Sequence, residues 1–190
     1  MARSKEFDRD TVLKDAMKVF GDHGYEGTST EVLMREMGIG RQSMYDTFGD
    51  KRQLYLEALQ NYIADRVAGQ IRTLNSTSSP LKGIEAVLDV LALKAPGESG
   101  CMGISAICEF GRSDQEIAIL LATADRTLAA ALAQRIAEAK AAGEVAAEVE
   151  TRTAAEFLKA TLAGIKLAAR GGAPVETLRN IGRLAVRSLK

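Results

Sequence analysis

The run Arg41-Gln42-Ser43-Met44-Tyr45-Asp46-Thr47-Phe48 concentrates side chains whose chemistry suits the edges of nucleic-acid bases. At about 100° per residue, Met44 and Phe48 fall together on one side of a short helix, and Gln42, Ser43 and Asp46 fall on the other. A glutamine amide can pair with the adenine edge, a carboxylate can accept from cytosine N4, and Arg41 at the helix start can reach guanine or a phosphate. The rest of the chain offers little competing chemistry. Its one histidine, His23, precedes Gly24 and belongs in a last helical turn, where it complements the helix dipole. There is no Cys/His ligand spacing, phosphate-cradling glycine motif or Ser/His/Asp set, so no catalytic residue, metal or cofactor is expected. Glu109 is expected to be an exposed or capped carboxylate.

Those side chains need elements to hold them. Thr28 and Glu31 read as a capping box, and Val32, Leu33 and Met37 continue a helical apolar spacing that Gly38 stops. Gly40 can then serve as the N-cap of a helix over 41–48 with Met44 and Phe48 as its narrow apolar stripe. Asp50 and Gln53 cap a further helix beginning near Lys51. Upstream, Asp8 caps a helix whose Val12, Leu13, Ala16, Val19 and Phe20 face one way, ending at Gly24. Three small helices therefore share one core, and two of them, hinged by Gly38-Ile39-Gly40, form a helix-turn-helix.

Gly24-Tyr25, Thr28-Ser29, Gly38-Ile39-Gly40, Met44-Tyr45, Phe48 and Lys51, at these spacings, resemble the N-terminal domain of the TetR family of transcriptional regulators, of the TetR/AcrR type. The resemblance implies an all-α fold. An N-terminal three-helix DNA-binding domain, 1–52, would precede a helical effector-binding and dimerisation domain, 53–190. It further implies a non-enzymatic homodimer whose partners are a double-stranded DNA operator and a small-molecule effector. In the family pattern Tyr45, Ser43, Lys51 and the cap at Thr28 touch the phosphate backbone, contacts that fix position and carry no sequence information. Phe48 is read as a core aromatic, whereas Tyr45 suits either the core or a phosphate.

Composition neither adds a basic footprint nor suggests a membrane. The 190 residues are 46% hydrophobic and 26% charged, with 25 basic and 25 acidic side chains, as in ordinary folded domains. Residues 1–56 hold nine Lys/Arg against ten Asp/Glu. DNA affinity must then come from a local patch of Arg3, Lys5, Arg41, Lys51 and Arg52, doubled by dimerisation. The same neutrality keeps a second reading open, a helical ligand-binding or interaction protein without sequence-specific DNA binding. No apolar run approaches the roughly 18 residues of a membrane span, and MARSKEFDRD lacks the hydrophobic region of a signal peptide. A cytoplasmic protein with reduced cysteines is expected. On one helix Cys101 and Cys108 would lie about 10 Å apart, too far for a disulfide.

Beyond Lys51 the breakers delimit helices near 51–73, 81–94, 101–110, 114–141, 151–170 and 175–189. Ser113 with Glu116 is the expected cap of the fourth, and Pro174 suits the first turn of the last. Leu158, Leu162 and Ile165, then Leu178, Ile181 and Ala185, make broad apolar faces. In the resembled family this pair of helices packs on its symmetry mate, while the residues alone serve equally well to close a monomer core.

The resemblance also implies an effector pocket drawing on Ile104, Ser105, Cys108, Leu121, Phe157 and Thr161. Seven of the nine aromatics precede residue 63, so a small or aliphatic effector fits better than a bulky cation. Cys101 follows Ser99-Gly100 at a helix start, where a thiolate is stabilised. It is either a sensor of oxidants or electrophiles or a small buried hydrophobe, and Cys108 is read as the latter. The function expected is a repressor released from a pseudo-palindromic operator by a small-molecule or electrophilic effector.

Overall fold

Local caps set the helix starts in the computed structural model, which describes residues 7–97 and 100–190. Helix α1, Arg9–His23, begins where Asp8 accepts from the Thr11 N–H at 2.7 Å. Helix α2, Thr30–Met37, is capped by Ser29, whose Oγ accepts from the Val32 N–H at 3.2 Å. The capping box expected on Thr28 and Glu31 is thus displaced. Thr28 is 1% exposed, and its hydroxyl donates to the Gly24 carbonyl at 2.6 Å, because the turn before α2 folds that side chain inward. Gly38 ends α2 at φ 64°, its N–H turned back toward the Arg35 and Met34 carbonyls, a left-handed cap that suits a residue without Cβ.

Helix α3, Arg41–Phe48, and helix α4, Lys51–Leu74, follow. Asp50 and Gln53 cap α4 reciprocally, each side chain accepting from the other's backbone N–H at 2.8 and 3.0 Å. Helix α5, Pro80–Lys94, opens with Ser79 as cap and Pro80 in the first turn. A 3-10 turn, Ala95–Gly97, and helix α6, Met102–Phe110, come next. Helix α7, Gln115–Ala141, is capped by Asp114, which accepts from the Ile117 N–H at 3.1 Å. The cap expected at Ser113 is not formed; that hydroxyl donates to the Phe110 carbonyl at 2.6 Å and closes the end of α6 instead. Helices α8, Thr151–Arg170, and α9, Val175–Arg187, complete the chain. The described residues contain no strand, and the fold is all-α.

The helices build two compact units. One joins Met1–Ala64 to Ser99–Leu121. Its core packs Phe20, Leu33, Met44 and Leu54 with Met102 and Ala106 of α6 and Ile117 of α7. The other joins Asp65–Glu98 to Ala122–Lys190, around Leu88, Leu91, Ile136, Leu158, Ile165 and Leu178. These units interleave along the chain, whereas the sequence division into 1–52 and 53–190 follows chain order. Helix α6 separates the two descriptions: Met102 and Ala106, one turn apart, make an apolar edge that packs beside α1.

Among the described residues no helix is long and apolar enough to cross a membrane.

Candidate DNA-reading site

Two buried anchors seat α3. Met44 and Phe48 are 0% and 5% exposed, so the remainder of this short helix is turned outward. Arg41, Gln42, Tyr45 and Asp46 are exposed and Ser43 is half-buried. The Gln42 amide donates from Nε2 to Asp46 Oδ1 at 2.9 Å, one turn along the same face. The neutral amide satisfies one carboxylate oxygen and holds Asp46 in place, while the carboxylate's negative charge stays on this face. Gln42 keeps a second N–H and its Oε1, the donor and acceptor that the adenine edge requires.

Arg41 pairs instead with Glu31 of α2, at 3.3 Å between exposed side chains. That pair is weak by two measures. Exposed ion pairs contribute about 0–1 kcal/mol. The Glu31 carboxyl is held below its ordinary value first by its own backbone N–H and then by Ser29, with Arg41 the smallest of the contributors. Arg41 is therefore free to exchange Glu31 for a phosphate or a guanine.

Lys51 begins α4 with its Nζ 4.1 Å from the centroid of the Tyr25 ring, a cation–π geometry. Tyr25 packs edge-on to Tyr55, with centroids 5.0 Å apart, and against Phe110 at 5.5 Å. One residue of the expected contact set and one of the expected basic patch are placed otherwise. Thr28 is buried, as above, so Ser29 is the hydroxyl at the start of α2 that faces outward. Arg52, counted in the basic patch, is committed to Asp114 through two bonds of 2.6 and 3.2 Å and to Glu116 at 3.2 Å. The pairing with Arg52 is the main reason the Asp114 carboxyl lies below its ordinary value. Arg3 and Lys5 lie outside the described residues.

The residues expected around an effector divide between the units. Cys101, Ile104, Ser105, Cys108 and Leu121 belong to the first, and Phe157 and Thr161 to the second. Cys101 is the half-buried N-cap of α6. Cys108, expected to be a buried hydrophobe, is exposed, because Met102 and Ala106 occupy the inner edge of α6 and turn positions 107–109 outward. Ser99 lies outside the described residues. Phe157 is 44% exposed, and Thr161 donates its hydroxyl to the Phe157 carbonyl at 2.9 Å.

Five of the six residues expected at a dimer face lie in this chain's own core. Leu158, Leu162, Ile165, Leu178 and Ala185 are at most 3% exposed and form the core of this chain's own second unit. Ile181 alone of the six is open, at 37%. Helices α8 and α9 each carry two apolar faces, and the stronger one closes the monomer. The face left in solvent carries Phe157 and Leu167 on α8 and Ile181 and Leu184 on α9, with Leu167 and Leu184 about 60% exposed. The i, i+3 pair Ile181 and Leu184, standing off the Leu178–Ala185 stripe, was the sequence signal for it. Glu109 is the exposed carboxylate that the sequence suggests, and its partners, the backbone N–H groups of the turn before α2, are what the sequence did not indicate.

The outward α3 face on a three-helix core, within an all-helical chain, defines a helix-turn-helix DNA-binding protein. Residues 12–58 match the bacterial regulatory proteins of the tetR family, and residues 81–180 match the tetracyclin repressor-like C-terminal domain. The HTH-type transcriptional regulator YezE of Bacillus subtilis (strain 168) is 33% identical over 184 residues, 95% of each chain. The HTH-type transcriptional repressor ComR of Escherichia coli (strain K12) is 32% identical, covering 97% of this chain and 90% of that one. Among solved structures, a cysteine-substituted form of the TetR family regulator CifR, complexed with 26-bp double-strand operator DNA, superposes with a TM-score of 0.87. It is 27% identical and covers 99% of this chain and 100% of CifR. The chain belongs to the TetR family, whose members are DNA-binding transcription factors and not enzymes.

Proposed function

We propose that the protein is a homodimeric repressor that binds a pseudo-palindromic operator and is released from it by a small-molecule or electrophilic effector. The observation that carries the DNA half is the α3 face, with Gln42 and Asp46 hydrogen-bonded side by side and Arg41 beside them in a weak pair. Gln42 reads adenine, Asp46 accepts from cytosine, and Arg41 takes a guanine or a phosphate. Ser43, Tyr45 and Lys51 hold the phosphates, joined by Ser29 in place of Thr28. The repressor named ComR and the operator-bound CifR support this reading.

Dimerisation follows from economy of contact. An eight-residue recognition helix reads few bases, and paired half-sites about one helical turn apart double them. The open stripe Phe157, Leu167, Ile181 and Leu184 is the face we assign to the partner copy. The effector belongs to the division 53–190, and its electrophilic form would act on a thiol of α6.

The test is binding of the purified protein to fragments of its own upstream DNA, followed by anisotropy over a salt series. One dimer per pseudo-palindrome, with affinity falling steeply as salt rises, is expected. Binding that ignores sequence rejects the operator assignment. Loss of affinity after thiol alkylation, absent in Cys101→Ser or Cys108→Ser, identifies the electrophile route.

A further inference from the structure

We infer that Glu109, far along the chain from the helix-turn-helix, is a positioning residue for DNA binding. It acts by clamping the turn that holds Lys51 in place. The inference rests on the proposed phosphate contact of Lys51 and adds the residue that holds that contact ready.

The turn between α1 and α2 begins at Gly24, with φ 73°, a conformation that suits a residue without Cβ. Gly24 has a second reason to be glycine: a Cβ there would fall on the Glu109 carboxylate. The space that glycine leaves is filled by Glu109, which accepts from the Tyr25 N–H at 2.9 and 3.2 Å and from the Glu26 N–H at 3.2 Å. Two backbone donors that follow the end of α1 thereby find one charged acceptor. The next residue of α6, Phe110, packs on the Tyr25 ring. The end of α6 therefore holds Tyr25 twice, by its backbone and by its ring.

Tyr25 in turn presents its ring to the Lys51 ammonium. A lysine in the first turn of a helix faces the positive end of the dipole, which disfavours it there. Without a fixed ring its four-carbon stem has several rotamers in which the charge points away from a phosphate. The chain of contact runs from the Glu109 carboxylate to the Tyr25 backbone, from the Tyr25 ring to Lys51, and from Lys51 to DNA. The device is geometric.

The experiment is a double-mutant cycle on operator affinity with Glu109→Ala, Glu109→Gln, Lys51→Ala and the Glu109→Ala/Lys51→Ala pair. It is read well below the melting temperature of each variant. Glu109→Ala is expected to weaken binding about three- to tenfold and to do nothing further once Lys51 is alanine. Glu109→Gln keeps an acceptor oxygen and should recover most of the affinity. In parallel, amide exchange at Tyr25 and Glu26 should accelerate in Glu109→Ala and stay near wild type in Glu109→Gln. Additive losses in the cycle, an unchanged affinity in Glu109→Ala, or a glutamine variant as weak as the alanine one would each overturn the inference. If Lys51→Ala alone leaves affinity intact, the phosphate contact fails and the inference falls with it. Unaccelerated amide exchange with a normal Lys51→Ala effect would instead remove the clamp and spare the contact.

Discussion

Leu162 and Leu184 are both leucines on the last two helices, yet the structure assigns them opposite consequences. Leu162 is 3% exposed inside the second unit, whereas Leu184 is 60% exposed. Truncating a buried leucine costs about 2–5 kcal/mol, and Leu162→Glu adds an unpaired charge in the core. Against a total stability of about 5–15 kcal/mol, that variant should lose much or all of its cooperative melting transition. Leu184→Glu should leave the monomer within about 0.5 kcal/mol of wild type, as surface changes do. Its effect falls on association. Burying a whole leucine contributes about 1.5–3 kcal/mol, so covering the exposed part contributes about 1–2 kcal/mol per protomer. A two-fold axis counts the residue twice, giving about 2–4 kcal/mol, or a dimer Kd raised about 30- to 1000-fold. Sedimentation velocity over a concentration series, with circular-dichroism melting of the same samples, reads both quantities. A Leu184→Glu variant that dimerises like wild type, or that unfolds like Leu162→Glu, would refute the assignment of the open face.

Further outcomes can be checked on the same protein. Gln42→Ala should change base preference at one position in each half-site, whereas Lys51→Ala and Tyr45→Phe should weaken all sequences alike. Lys51→Ala should also lower the salt slope by about one unit, measured by anisotropy on a panel of single-base operator variants. Glu150 caps α8 by accepting from the Arg152 and Thr153 N–H groups at 2.9 and 2.6 Å, and these bonds bring its carboxyl down to about 2. Its folded value lies below its unfolded one, so its stabilisation is present above the unfolded value, about 4.3, and is lost as pH falls toward 2. Glu150→Gln should therefore show a shallower loss of melting temperature across that window. A thiol reagent at limiting amount should label exposed Cys108 ahead of half-buried Cys101, read by peptide mass spectrometry, and equal or reversed labelling contradicts that order.

The helices were legible because their ends are written locally. Asp8, Gly38 and the Asp50–Gln53 pair are short-range devices, each sitting where its residue type is needed, and Gly40 stands at the N-cap position of α3 without a side-chain cap. Two caps slipped by one residue for a reason that sequence does not carry. At 28–29 and at 113–114, two candidate capping side chains stand next to each other, and tertiary packing chooses between them. Thr28 is drawn inward to Gly24, leaving Ser29 as the cap. Asp114 is drawn toward Arg52 and caps α7 from there, leaving Ser113 to close α6. The Arg52 pairing is what removes that cation from the expected basic patch, so one long-range contact corrects both a cap and a site.

The site was legible where periodicity alone decides it and obscure where pairing does. Burial of Met44 and Phe48 fixes which way α3 faces, and that followed from a four-residue spacing. The same arithmetic could not tell whether the Leu158–Ile165 stripe meets its own chain or another, because both covers use identical residue types. Burial supplies what periodicity lacks: the stripe lies inside the second unit, and Phe157 and Leu167 are left exposed. Glu109 was illegible for a sharper reason. Its partners are backbone N–H groups at 25 and 26, which every sequence possesses, and the only trace of the contact is Gly24, whose glycine is already accounted for by helix termination. A residue that serves two constraints with one identity hides the second, so contacts between a side chain and a distant turn come into view only when the chain is folded.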